Sequence, residues 1–233
     1  MGNAGEVKIL IPFRLKNPKS RLSLFLNEEE RRKLSLSMLS DVLRAVADAG
    51  CCASLSLILS ENSHSHEVDE LENVFKNVFE KACWIRWRIE IDERELDDAV
   101  NSRLGDRTAI IVSDLPLLNG ELLRKFFETD ADIVLTPGRR GGTNMMLVNR
   151  KLGFRVSYHY GSFFKHLSLA KLCGLKAKVF DSFFAGCDVD TPDDLLDVLL
   201  HAPESETGKY LKRIGFRVSL EKNPKLCRCR LEV

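Results

Sequence analysis

The chain lacks the marks of several protein classes. Its 35 Lys and Arg nearly balance 34 Asp and Glu, leaving a formal net charge of +1 over 233 residues. Bulk attraction to nucleic acid needs a basic excess, so no nucleic-acid partner is expected and any anion must be held by a local pocket. No apolar run approaches the roughly 20 residues that cross a bilayer, which excludes a membrane partner of that kind. The opening MGNAGEVKILIPF carries no basic segment ahead of a long apolar one, so it does not read as a secretory signal, and a cytoplasmic setting is expected. Glu6 stands where a myristoylation start would carry Ser or Thr. The seven cysteines are odd in number and scattered, which reads as reduced thiols rather than a disulfide framework. Cys227-x-Cys229 has no second Cys or His pair near it, as a zinc site would need. There is no GxGxxG and no GxxxxGK[ST], so neither a dinucleotide fingerprint nor a Walker loop is present. No Ser/Gly linker and no internal repeat divides the chain.

What is present is an ordinary globular composition, 44% hydrophobic and 30% charged, sufficient for one α/β domain. VKILIPF (7–13), SLSLILS (54–60), TAIIVSD (108–114), ADIVLTP (131–137), NMMLV (144–148) and KAKVF (176–180) read as strands. Residues 85–91 alternate apolar and charged, as a strand with one polar face does. Between them lie helical periodicities. One starts at the cap Asn27 with Glu28, Glu29 and Glu30 and stops at Gly50; another is SFFKHLSLAKLCGL, ended by Gly174. The alternation predicts a three-layer α/β/α fold around a mostly parallel, mixed sheet. The predicted domain covers residues 1–204. After it, residues 205–233 read as a basic, irregular appendage with RIGFRVSL and LCRCRLEV as strands, suited to dimer contact.

In such sheets ligands bind outside the carboxyl ends of the strands. Three features fall there. Arg14, Lys16, Lys19 and Arg21 crowd the loop after the first strand, as cations holding a polyphosphate would, or as a plain solvated loop. Asp114 closes TAIIVSD, either as a functional carboxylate or as a turn cap. Asp188 and Asp190 flank Val189, so extended backbone turns both carboxylates to one side, which suits Mg²⁺. Thr191 reads as a helix cap, with Pro192 as the first helical residue and Asp193 and Asp194 facing the helix dipole. Together these groups would neutralise a nucleoside triphosphate while another phosphate attacks it.

IPF and NPKSRLS (11–23), SDLPLL (113–118), GGTNMMLV (141–148), YGSFFKH (160–166) and DVDTPDDL (188–195) follow one another in order. Over about residues 7–200 the chain thereby resembles the 2-phospho-L-lactate guanylyltransferase family of coenzyme F-420 biosynthesis. More distantly it resembles the molybdenum-cofactor guanylyltransferases. The resemblance implies a nucleotide-diphospho-sugar transferase-like fold, a homodimer, and transfer of GMP from GTP to a small phospho-acid with release of pyrophosphate. That acid is 2-phospho-L-lactate, or phosphoenolpyruvate in bacterial relatives. Asp114, Asp188 and Asp190 would hold Mg²⁺. Thr143, Gly161 and Ser162 would hold the phospho-acid. Pro12, Phe13, Arg14, Lys19 and Arg21 would line the nucleotide site, with Lys19, Arg21 and Asp114 at the chemistry. Leu96-Asp97-Asp98-Ala99 departs from the family's Leu-Asn-x-Ala, so Asp97 would accept from guanine in place of the usual Asn, or simply face solvent. His159 and His166 read first as loop and helix residues, with a phosphate contact by His166 as the alternative. Other readings of the whole remain a nucleotidyltransferase of different specificity and a catalytically silent nucleotide binder.

Overall fold

The computed structural model describes residues 6–60, 65–219 and 223–229. Strands β1 (Val7–Phe13), β2 (Cys52–Leu59), β3 (Arg86–Ile91), β4 (Thr108–Ile111), β5 (Ile133–Pro137), β6 (Thr143–Val148) and β7 (Ala177–Val179) form one sheet in the order β3-β2-β1-β4-β6-β5-β7. β6 runs antiparallel to β4 and β5, and the other pairings are parallel. The single reversal follows from chain length: β5 and β6 are joined by a short turn, and only antiparallel neighbours can be joined that way. Gly138 N–H donates to Gly142 O at 2.9 Å in this turn, and Gly141 takes φ +77°, a conformation natural to glycine.

Alternation along β1 sorts its side chains between two cores. Val7, Ile9, Ile11 and Phe13 face helices α1 (Glu28–Ala49), α2 (Ser65–Phe79) and α4 (Gly120–Phe127). Leu10 faces the opposite side, with α3 (Leu96–Asn101) and α5 (Ser162–Leu172). Burial on both faces explains why the central strands read as continuous apolar runs. The edge strand β3 shows the alternation expected of one polar face, with Trp87 and Ile89 packed on the core.

Two elements depart from the sequence reading. The sequence gives no sign of the short helix α6 (Phe183–Gly186) ahead of α7 (Pro192–His201). The stretch read as irregular after His201 contains a helix, α8 (Glu206–Arg213), whose tertiary setting outweighs its polar composition. The buried Asp41 carboxylate accepts from Glu206 N–H at 2.8 Å and Thr207 N–H at 2.9 Å, capping that helix from α1. Tyr210, Leu211 and Phe216 share a third apolar cluster with Leu34, Met38, Leu195 and Val198. The strands expected in the tail are β8 (Phe216–Ser219) and β9 (Lys225–Arg228), an antiparallel hairpin. Residues 230–233 of the second expected strand lie outside the described residues.

Candidate active site

β1 and β4 are parallel neighbours, yet the chain leaves β1 for β2 on one side and β4 for β5 and β6 on the other. Such a reversal opens a crevice at the carboxyl ends of the two strands. The loop after β1 and Asp114, three residues beyond the end of β4, meet there. Asp114 is therefore a loop residue rather than the end of the strand. Its carbonyl accepts from Val189 N–H at 3.1 Å, which lays the Asp188–Asp190 segment beside it. Val189 is fully buried, so its two neighbours turn the other way, as alternation requires.

Lys19 is the hub. Its ammonium donates to Asp114 Oδ2 and, at 3.0 Å, to Asp190 Oδ1. Arg21 donates to Asp190 Oδ2 at 2.7 Å. Burial alone would lower the Lys19 ammonium, but the two carboxylates outweigh it and hold its pKa above the ordinary lysine value. Asp188 takes a different set of partners. Its Oδ1 accepts from Asn144 Nδ2 at 3.4 Å, and Arg140 lies 3.6 Å from Oδ2. Burial, reinforced by the charge of Asp114, raises the Asp188 pKa. Asp114 Oδ1 is buried and has no hydrogen-bond partner. Among the described residues no three His, Cys, Asp or Glu side chains gather closely enough to enclose a cation by themselves.

The cap expected at Thr191–Pro192 is present, and Asp194 does more than face a dipole. It is buried, and its Oδ2 accepts from Asp190 N–H at 2.9 Å, Thr191 N–H at 2.7 Å and Thr191 Oγ1 at 2.8 Å. Arg139 and Arg140 each approach it at 3.1 Å. These bonds fix the backbone that carries Asp190.

A cavity of about 610 Å³ runs from this cluster along the β1 loop. Lys19, Arg21, Asp114 and Asp190 line one end, and Pro12, Phe13 and Arg14 line its side. The far wall is residues 92–96, ordered by Asp92 between Arg94 (2.8 Å) and Arg103 (2.5 Å). Asp97 is not in that wall. Its carboxylate accepts from Tyr158 N–H at 2.8 Å and lies 3.7 Å from His159, so it ties α3 to the segment ahead of α5.

The residues expected to hold the phospho-acid form a second group outside that cavity lining. Thr143 opens β6 and Ser162 opens α5, with Gly161 capping the helix at φ +64°. Thr143 Oγ1 lies 3.2 Å from Ser162 Oγ and 2.9 Å from His166 Nδ1. His166 is fully buried, so its role is internal to the protein, and burial with the Lys165 charge pulls its pKa down to about 4.

Four residues of this region escape sequence reading. Arg31, on α1 and buried, donates to Pro18 O at 2.9 Å, Leu26 O at 3.0 Å and Asn17 Oδ1 at 2.7 Å. It pins a loop in which Asn17 and Lys19 hold left-handed backbone (φ 43° and 52°), a strain on the order of 1 kcal/mol each. Asn144 and Arg140 contact Asp188. Gly138 leaves room for Asn144: a Cβ there would sit 2.3 Å from Asn144 Oδ1. Only Asn144 and Arg140 had a sequence signal, their place beside Gly141–Thr143.

Sheet order and the site at its reversal define a nucleotidyltransferase-type α/β enzyme. A provisionally assigned nucleotide-diphospho-sugar transferase from Desulfovibrio desulfuricans G20 shares the fold, with a TM-score of 0.66 at 17% identity over 90% of this chain and 95% of that one. More specifically, residues 7–233 match the family model described as guanylyl transferase CofC like, and the chain belongs to that family. Proteins named 2-phospho-L-lactate guanylyltransferase are similar over nearly their whole length. The one from Archaeoglobus fulgidus is 44% identical over 94% of this chain and 96% of its own. The one from Ferroglobus placidus is 42% identical over 95% and 100%.

Proposed function

We propose that this guanylyltransferase joins GMP from GTP to 2-phospho-L-lactate, giving lactyl-2-diphospho-5'-guanosine and pyrophosphate, as a step of coenzyme F-420 biosynthesis. The observation that carries the reading is the Lys19–Asp114–Asp190–Arg21 cluster at the mouth of the nucleotide-sized cavity. A phosphate oxygen of the acid attacks the α-phosphorus of GTP and pyrophosphate leaves in line. The protein needs to supply no nucleophile, only positioning and neutralisation of charge. Lys19 and Arg21 face the triphosphate. Thr143, Gly161 and Ser162 receive the phospho-acid at the start of α5, where the positive end of the helix dipole favours an anion.

Magnesium belongs to the same proposal. The donor set fits: the buried Asp114 Oδ1 lacks a partner, and Asp188 lies near enough for the Asp114 charge to raise its pKa. Mg²⁺ takes one or two carboxylates with substrate phosphates and water, so no closed cage of three side chains is needed. Of the three expected ligands Asp190 has both oxygens engaged by Lys19 and Arg21, so Asp114 and Asp188 would hold the ion, which would neutralise phosphate oxygens. A homodimer, favoured by the resemblance and by the tail after His201, belongs to the same proposal, as does a cytoplasmic setting; sedimentation tests the first.

The deciding measurement is pyrophosphate release from GTP with 2-phospho-L-lactate, and separately with phosphoenolpyruvate, with and without Mg²⁺. Release with the first acid supports the reading. Release with the second alone moves the acceptor, and release with neither sinks it.

A further inference from the structure

His166 is fully buried, does not line the cavity described above and carries no role so far. Its two ring nitrogens are both occupied. Nε2 lies 2.9 Å from the backbone N–H of Ser157, which can only donate. Nε2 is therefore bare, and the ring proton of the neutral imidazole sits on Nδ1. That proton points at Thr143 Oγ1, 2.9 Å away, so the threonine oxygen accepts. Thr143 Oγ1 in turn lies 3.2 Å from Ser162 Oγ.

Counting protons along this chain has a consequence. Nδ1–H, the Thr143 hydroxyl and the Ser162 hydroxyl are three donors. Within the chain only two contacts exist, His166–Thr143 and Thr143–Ser162. One hydroxyl proton is always left over, whichever way the Thr143–Ser162 bond runs. With the other tautomer, Nδ1 would accept from Thr143, Ser162 would donate to Thr143, and no hydroxyl proton would remain. An anionic oxygen offers only acceptors, so it needs the first arrangement.

We propose that His166 is a positioning residue that keeps the Thr143–Ser162 hydroxyl pair in donor mode for an anionic oxygen of the acceptor substrate, with Ser157 N–H fixing the tautomer. The burial that keeps the imidazole uncharged works in the same direction. T-shaped packing of Tyr158 on the ring, at 5.2 Å between centroids, holds its plane. The proposal rests on the acceptor reading above for its substrate, but not for its tautomer.

Two measurements test it. In ¹⁵N-histidine-labelled protein, His166 should show a protonated Nδ1 and a bare Nε2 at pH 7. Inorganic phosphate or 2-phospho-L-lactate should shift the Nδ1 resonance. An Nε2–H tautomer overturns the proposal whatever the enzyme's substrate proves to be. The second is kinetic. His166→Leu should raise KM for 2-phospho-L-lactate about tenfold with KM for GTP within twofold, the cost of one misdirected donor. His166→Asn, whose amide can donate at the Nδ1 position, should recover most of that loss. Equal effects of Leu and Asn, or equal effects on both KM values, mean a packing role and sink the proposal. If His166→Leu does not fold, the wild-type resonances decide, and an Nε2–H tautomer sinks the proposal. Absence of turnover in the wild-type protein defeats the acceptor reading and leaves the tautomer to be judged by resonance alone.

Discussion

The two halves of the site are built from different physics. On the side proposed for the nucleotide, Lys19, Arg21, Asp114 and Asp190 hold one another by charge in a crevice open to water. On the side proposed for the acceptor, Thr143, Ser162 and His166 are buried, uncharged and joined by hydrogen bonds. Charge suits the first because a triphosphate and a leaving pyrophosphate must be neutralised as charge shifts. Direction suits the second because a small acid has few atoms to grip, so each donor must already point correctly.

The comparison breaks most visibly at Asp190. Asp190→Asn should lower kcat/KM on the order of 10³-fold, since it loosens Lys19 and Arg21 together. A steady-state loss below tenfold would mean that charge does not organise that half. Arg31→Met comes next. Three bonds to the Lys19 loop disappear and buried carbonyls lose their donor, so denaturant melts should show a loss of about 3 kcal/mol, and KM for GTP should rise.

The acceptor half should respond to pH instead. Folded His166 titrates at about 4 against an ordinary 6.5, so the unfolded chain takes the proton first as pH falls. The stability linked to His166 is full above about 6.5 and is lost progressively towards 4, reaching about 2 kcal/mol lost at pH 5. Urea midpoints of wild type and His166→Asn compared between pH 7 and pH 5 isolate it; identical slopes would refute it. The smallest effect belongs to a region outside both halves. Cys227 is exposed on β9, and Cys227→Ser should stay within about 0.5 kcal/mol, with activity unchanged.

Asp97 shows why part of the site was hidden. In sequence it stands where a base-recognising residue is expected, yet its carboxylate holds Tyr158 N–H, 61 residues away along the chain. Lys19, Asp114 and Asp190 were legible because each sits just after a readable strand or before a readable helix, and topology assembles such positions at one edge. Arg31 was not, because an arginine on a charged helix gives no sign that it points inward. α8 was missed although Ser205 caps it locally, accepting from Gly208 N–H, because its polar composition hides how firmly Asp41 of another helix holds the N–H groups of Glu206 and Thr207.

By itself the sequence determined the alternation of strands and helices, the sheet they must form, and the residue types gathered at its carboxyl edge. Those follow from periodicity and local backbone chemistry, which act over a few residues. Only the tertiary structure decided that Lys19 bridges two aspartates, that Asp188 takes its own partners, and that Ser157 fixes the proton on His166. Each of these depends on groups distant in sequence meeting at hydrogen-bond distance, and no local pattern encodes that.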